Sequence, residues 1–245
     1  MNNLEKCCQR DRRVLTYLDA LGCLDTDQVK ALCFSGFDGG LRKAQQRMKR
    51  LTDLGRVNRL RPSLDAPYAY FTGERPVQIE HVIARNWVYL WLVSRCSSWE
   101  KVEGWYPEED HGILRCDALA DVRNKVTGKH RFYFVEVDRY QSGNRWDKAK
   151  KYTELCRRGI QALWVEQAES FPVIFCVTDH PARLEAIRKA VRDENPLGLR
   201  FEIRLLEEVR REALGVGDRA RAVSRSTGVE TGIHPCGRQA VPDHP

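Results

Sequence analysis

Leu41-Arg42-Lys43-Ala44-Gln45-Gln46-Arg47-Met48-Lys49-Arg50-Leu51-Thr52-Asp53-Leu54-Gly55, continuing as Arg56-Val57-Asn58-Arg59-Leu60-Arg61-Pro62, is the stretch on which the reading of this chain turns. Leu41, Ala44, Met48, Leu51 and Leu54 recur at the spacing of one helix face and predict a helix from about Leu41 to Leu54 with those residues inward. Gly55 stands where a helix commonly stops on a left-handed residue. Arg56 to Leu60 then reads as a strand, Ala69 to Thr72 as its return, and Arg61 to Tyr68, with Pro62 and Pro67, as the loop between them. Eight basic residues, Arg42, Lys43, Arg47, Lys49, Arg50, Arg56, Arg59 and Arg61, meet one acid, Asp53, between Leu41 and Pro62. That segment therefore carries +7, the formal net charge of the whole 245-residue chain, and the remainder is close to neutral.

Upstream, Val14, Leu15, Tyr17, Leu18 and Leu21 give a helix from Arg10 that Gly22 closes. Asp25 is placed to N-cap a short second helix carrying Val29, Leu32 and Cys33, and Ser35 to Gly40 is a turn. Three helices and a basic hairpin in this order match a winged helix-turn-helix, whose third helix enters the major groove while the hairpin touches the backbone or minor groove. Arg42, Lys43, Gln45, Gln46, Arg47, Lys49 and Arg50 lie off the apolar face of that helix. Gln and Arg can read adenine and guanine edges, and Lys and the other Arg neutralise phosphates. With Arg56, Arg59 and Arg61 of the hairpin they form the expected face for double-stranded DNA, which needs no cofactor to bind. A solvated basic helix face is the plainer reading; recognition helix, glycine stop and basic hairpin occurring together argue against it.

Downstream, Ile79 to Arg95 is apolar nearly all round, as in a buried helix. Strands follow at Val102–Tyr106, Ile113–Val122 and Arg131–Val137, then a charged helix Asp147–Arg158, a strand Phe171–Thr178, a helix Pro181–Asp193, a strand Phe201–Leu206 and a short helix Glu207–Leu214. The order gives a mixed sheet with helices on its faces. The expected fold class is α+β in two domains, a winged helix over residues 1–75 and a mixed α/β sheet domain over 76–214, with residues 215–245 a disordered tail.

With 42% apolar residues the chain can bury a core, and no run of about 18 apolar residues is present to span a bilayer. The first residues lack the apolar stretch of a signal peptide, so a cytoplasmic location without a membrane partner is expected. Nine scattered cysteines without a CxxC pattern read as reduced, mostly buried thiols. The six histidines show no metal-ligand spacing, and Trp99, Trp105, Trp146 and Trp164 read as packing residues.

Three acids of the second domain carry possible chemistry. Asp117 lies in Leu114-Arg115-Cys116-Asp117-Ala118, and Glu136 and Asp138 share a face of the strand Phe134-Val135-Glu136-Val137-Asp138-Arg139. Asp117, Glu136 and Asp138 are the candidate metal ligands, since two or three such oxygens suit Mg²⁺ or Mn²⁺, which can polarise a phosphodiester and activate water. Here the chain resembles the PD-(D/E)xK nuclease superfamily. More closely it resembles the replication-relaxation family of mobile elements, in which a winged helix precedes such a domain. The likeness rests on Arg115-Cys116-Asp117-Ala118, Phe134 to Arg139, and Lys148 with Tyr152, and spans roughly residues 8 to 206. It implies a DNA-binding factor of a plasmid or phage, acting in replication, transfer or transcription alongside replication or transfer proteins of the same element; a homodimer is expected because winged helices commonly bind repeated half-sites as dimers.

The chain departs from the nuclease pattern where the catalytic lysine is expected: Asp138 stands there, and Cys116 replaces the proline before the acid. The expectation is a domain that has lost catalysis and serves assembly or DNA clamping. The alternative is a metal-dependent endonuclease in which Asp117, Glu136 and Asp138 hold the ion and Lys148, or Lys151, supplies the missing cation, with Glu80 a further carboxylate.

Overall fold

The computed structural model describes residues 3–139, 146–159 and 170–223. It is an α+β structure with a three-stranded and a five-stranded sheet. Helix α1 (Asn3–Leu21) ends at Gly22 and leads through β1 (Leu24–Asp25) into α2 (Thr26–Val29), which continues as a π-helical turn over Lys30–Phe34. Asp25 caps α2 as expected, in a capping box: its carboxylate accepts from the Gln28 N–H, and the Gln28 side chain accepts from the Asp25 N–H. The basic stretch forms α3 (Gly40–Asp53), and the hairpin is β2 (Asn58–Leu60) with β3 (Ala69–Phe71). Central β3 is paired by β1 on one side and β2 on the other, both antiparallel.

Two glycines set the placement of α3. A Cβ on Gly40 would lie 2.4 Å from the Phe34 carbonyl oxygen, so only glycine lets the helix start this close to the preceding turn. Gly55, at φ 67°, turns the chain out of the helix in the left-handed region, as its position predicts. Ala44, Met48 and Leu51 face inward as expected, but Leu41 and Leu54 are exposed at 40% and 62%. They sit on the two borders of the apolar stripe, roughly 60–80° from Ala44 at about 100° per residue.

Helix α4 (Ile79–Arg95) lies against the five-stranded sheet of β4 (Glu100–Pro107), β5 (Ala118–Asn124), β6 (His130–Asp138), β7 (Val173–Thr178) and β8 (Phe201–Leu205). The order is β4-β5-β6-β7-β8, antiparallel through β6 and parallel from β6 to β8. Helices α5 (Lys148–Arg157) and α6 (Pro181–Glu194) precede β7 and β8 and cover one face. Helices α4 and α7 (Leu206–Val223) cover the other. The alternation of β6 makes the division: Tyr133, Val135 and Val137 pack toward α4, while Phe132 and Phe134 pack with Tyr152 and Leu155 of α5.

Two expectations are corrected. The strand begun at Ile113 starts at Ala118, because residues 113–117 close a tight turn in which Cys116 N–H donates to Glu109 O and Gly112 takes φ 79°. The last helix does not stop at Leu214 but runs to Val223, through Gly215 and Gly217. The rest of the proposed tail, residues 224–245, lies outside the described residues, as does Trp164.

One buried apolar cluster joins α1, α3, α4, the sheet and α7, from Val14 through Met48, Trp87 and Phe175 to Val209. Buried polar groups stitch the same seam. Asn86 donates to Leu21 O at 3.0 Å and Cys23 O at 2.6 Å, and Gln28 donates to Ile83 O at 2.8 Å. Cys23, Cys33, Cys116 and Cys176 are buried free thiols, and Cys8, Cys96 and Cys156 are free as well. Trp146 is buried, Trp105 packs on Tyr89 at 5.3 Å, and Trp99 is exposed. No helix of the described residues is long and apolar enough to cross a membrane.

Candidate functional site

The solvent side of α3 carries Arg42, Lys43, Gln45, Gln46, Lys49 and Arg50, all exposed, and Arg56, Arg59 and Arg61 extend the face along the hairpin. Lys43 lies over the Phe37 ring at 4.9 Å, and Tyr68 lies under both Arg59 and Arg61, at 5.0 and 4.6 Å. These rings orient the cations without neutralising them. Lys49 is paired with Asp53 one turn on, at 2.6 Å, an exposed pair of little energy that a phosphate could displace.

Arg47 differs. It makes a two-pronged pair with Asp11 of α1, and both side chains are less than one-fifth exposed. Of the ten residues read as a DNA face, Arg47 is therefore a cross-brace between α1 and α3. Its position explains this, being roughly 60° around the helix from buried Ala44 at about 100° per residue, on the border of the apolar stripe.

The second constellation lies at the ends of β5 and β6. Asp117, just before β5, has its N–H bonded to Val135 O, while its carboxylate accepts from Val137 N–H at 2.6 Å and meets His81 Nε2 of α4 at 3.0 Å. Burial opposes its ionisation, but the His81 hydrogen bond, Lys148 and the Val137 N–H together hold its carboxyl below the usual range. Glu136, 1% exposed, is bonded by Lys148 Nζ at one oxygen and by the Tyr152 hydroxyl at the other, at 2.5 Å. Burial drives Glu136 upward against the pull of Lys148. Lys148 is itself raised, because Glu136 and Asp117 outweigh its burial, and a raised lysine beside a carboxylate marks an ion pair. Of the two α5 cations considered, Lys148 and Lys151, Lys148 is the one that reaches Glu136.

Asp138 is not part of this group. It shares the β6 face of Glu136, yet its carboxylate is gripped in two-pronged fashion by Arg183 of α6, at 2.8 and 2.9 Å. Glu80 goes to Arg139 at 2.6 Å, and Lys151 pairs with Asp147 at 2.9 Å. The candidate metal set Asp117, Glu136 and Asp138 is therefore split. Each carboxylate is taken by donors, and no cluster of three His, Cys, Asp or Glu side chains fit for an ion occurs among the described residues. As arranged, these residues make an ion-pair network and do not fit a Mg²⁺ or Mn²⁺ cradle.

Two members escaped sequence reasoning. His81 had no spacing signal, and only the seating of the first turn of α4 over the end of β6 brings it to Asp117. Arg183 lies 45 positions beyond Asp138 and is joined to it by the parallel crossover through α6. An open groove of about 690 Å³ runs past this cluster to the hairpin, with Pro62, Arg75, Gln78, His81, Asp138 and Arg139 on its walls.

Comparison with protein-family profiles, curated proteins and solved structures finds no match to this chain.

Proposed function

We propose that this is a DNA-binding protein of a plasmid, phage or other mobile element, acting in replication, transfer or transcription. In this reading residues 3–71 form a winged helix, with α3 in the major groove and the β2–β3 hairpin on the backbone. The observation that carries it is the exposed row Arg42, Lys43, Gln45, Gln46, Lys49 and Arg50, continued by Arg56, Arg59 and Arg61, on a chain otherwise near neutrality. The sheet domain serves as a nuclease-like scaffold for assembly on, or clamping of, the DNA, its carboxylates committed to internal pairs. The likeness to the replication-relaxation family supports the mobile-element role, with a second copy of the chain as partner.

The test is fluorescence anisotropy on duplex DNA over a range of salt. Each phosphate contact contributes a slope of about 0.9 in log K against log salt. The triple variant Arg42→Ala, Lys43→Ala, Arg50→Ala should lower the slope by about 2–3 and weaken binding to every sequence. Unchanged binding in that variant, or no DNA binding at low salt by the wild type, would sink the proposal.

The alternative reading is a metal-dependent endonuclease delivered by the same DNA face, and the closed Lys148–Glu136 pair stands against it. It requires Lys148 and His81 to release their carboxylates. Nicking of supercoiled plasmid that needs Mg²⁺ or Mn²⁺ and disappears in Glu136→Ala would establish it. Intact, retarded plasmid would remove it.

A further inference from the structure

A second cavity lies at the other end of α4. Its volume is about 300 Å³, and the nearly buried Trp91 and Leu92 of α4 and Val122 of β5 are among the residues that line it. Around it stand Arg95 from the last turn of α4, Arg131 from the start of β6 and Arg200 just before β8, with Tyr133 between them and Glu202 the one acid of the lining. His81 and Arg95 are separated by about 21 Å of helix at 1.5 Å per residue, so this cavity is distinct from the carboxylate cluster.

The three guanidinium groups are held loosely. Arg95 is 58% exposed, with Glu212 no nearer than 3.9 Å, and Arg131 is 52% exposed, with Glu100 at 3.2 Å. Arg200 is exposed, and its side chain makes no ion pair among the described residues; its carbonyl accepts from Ile174 N–H. The rings hold two of the cations in place, Arg95 over Trp91 at 5.4 Å and Arg131 over Tyr133 at 5.6 Å. Burial pushes the Tyr133 phenol upward against the pull of Arg131, so the hydroxyl stays protonated and can donate. Burial and the Glu100 carboxylate push Cys96 up to about 11, so the cavity offers a binding site without a reactive thiolate.

We propose that this cavity binds a phosphate monoester, with a nucleoside 5′-monophosphate as the type. The arginines and the Tyr133 hydroxyl take the phosphate, and Trp91, Leu92 and Val122 line the rest of the cavity. Guanidinium forks match phosphate oxygens in pairs, and a dianion outcompetes single carboxylates at 3.2 and 3.9 Å from half-exposed arginines. The volume is at the lower end of small-molecule sites, about 300–1,000 Å³, room for one nucleotide unit and not for a duplex. The proposal stands apart from the DNA face on α3 and does not need it.

Isothermal titration of the full chain with deoxyadenosine 5′-monophosphate, and with deoxyadenosine alone, tests this directly. The monophosphate should bind and the nucleoside should not. Arg200→Glu should weaken the monophosphate at least about tenfold while melting at the temperature of the wild type, since Arg200 is exposed. A short single strand with and without a 5′-phosphate separates the two sources. Arg200-dependent preference for the phosphorylated strand assigns a strand end, and its absence beside monophosphate binding assigns a free nucleotide; both uphold the phosphate site. No binding of either phosphorylated probe, equal affinity in Arg200→Glu, or loss in Arg42→Glu with Lys43→Glu in place of Arg200→Glu would overturn it.

Discussion

Lys148→Met isolates the energetics of the carboxylate cluster. Glu136 is 1% exposed, and its two oxygens are satisfied by Lys148 and the Tyr152 hydroxyl. Removing the ammonium leaves a carboxylate out of water with one neutral donor, a change that costs about 3–5 kcal/mol when no escape exists. Glu136 does have an escape, which is to bind a proton. Holding a carboxyl neutral that would ionise at about 4.3 when unfolded costs about 1.4 kcal/mol for each pH unit above that value. The penalty is thus capped near 4 kcal/mol at pH 7 and near 1 kcal/mol at pH 5. The sign follows from linkage: a carboxyl whose folded pKa is raised is fully accommodated below its unfolded value and loses stability as pH rises toward the folded one. Urea unfolding of wild type and Lys148→Met at pH 5 and pH 7 reads this difference. Adding Glu136→Gln to Lys148→Met removes the buried charge and should recover about 2 kcal/mol at pH 7 and little at pH 5. A penalty independent of pH, or a double variant no more stable than Lys148→Met, would show that no buried charge is compensated at this site.

Three further perturbations separate packing from binding. Arg47→Ala should lower stability by about 1–3 kcal/mol through loss of a charged, largely buried pair and leave the salt slope of DNA binding unchanged; a lowered slope would return Arg47 to the DNA face. Asn86→Leu removes the donor to Cys23 O and one of the two to Leu21 O, which keeps Arg85 Nη2 at 3.3 Å, and should cost about 1–3 kcal/mol in thermal or urea unfolding, the cost of one orphaned carbonyl. A loss under about 0.5 kcal/mol would mean that this seam carries little of the stability. Gly40→Ala drives a Cβ into the Phe34 carbonyl and should destabilise by about 1–3 kcal/mol while weakening DNA binding, because α3 must shift. Wild-type melting and affinity in that variant would refute the close approach.

Element type and order were legible along most of the chain, because each long element carries its own periodicity. Helix α4 reads as buried from its unbroken apolar run, and β6 and β7 from theirs. Boundaries failed where tertiary contacts decide them. Residues 113–117 are apolar enough to read as strand, yet Gly112 and the Cys116–Glu109 bond fold them into a turn that delivers Asp117 to the end of β6. Helix α7 continues through two glycines that local propensity would place at its end.

The carboxylate cluster shows where reading from one sequence stops. Period-2 alternation was enough to put Glu136 and Asp138 on one face, and side-chain length was enough to bring Lys148 from the next helix. Neither could tell that the two acids would have different owners, because Arg183 comes from α6 and acts across the parallel crossover. The structure gives Asp138 a guanidinium of its own, from Arg183 of α6, while the cation reaching Glu136 arrives from α5. Two carboxylates on one strand face, Glu136 buried and Asp138 partly so, would repel unless each had a counter-charge, and Lys148 and Arg183 supply one to each. That requirement ties the fate of the site to both partners. A nuclease would have to free Glu136 from Lys148 without disturbing Asp138, whereas a scaffold needs both pairs closed, and the pH dependence of Lys148→Met distinguishes a site held shut by charge from one free to open.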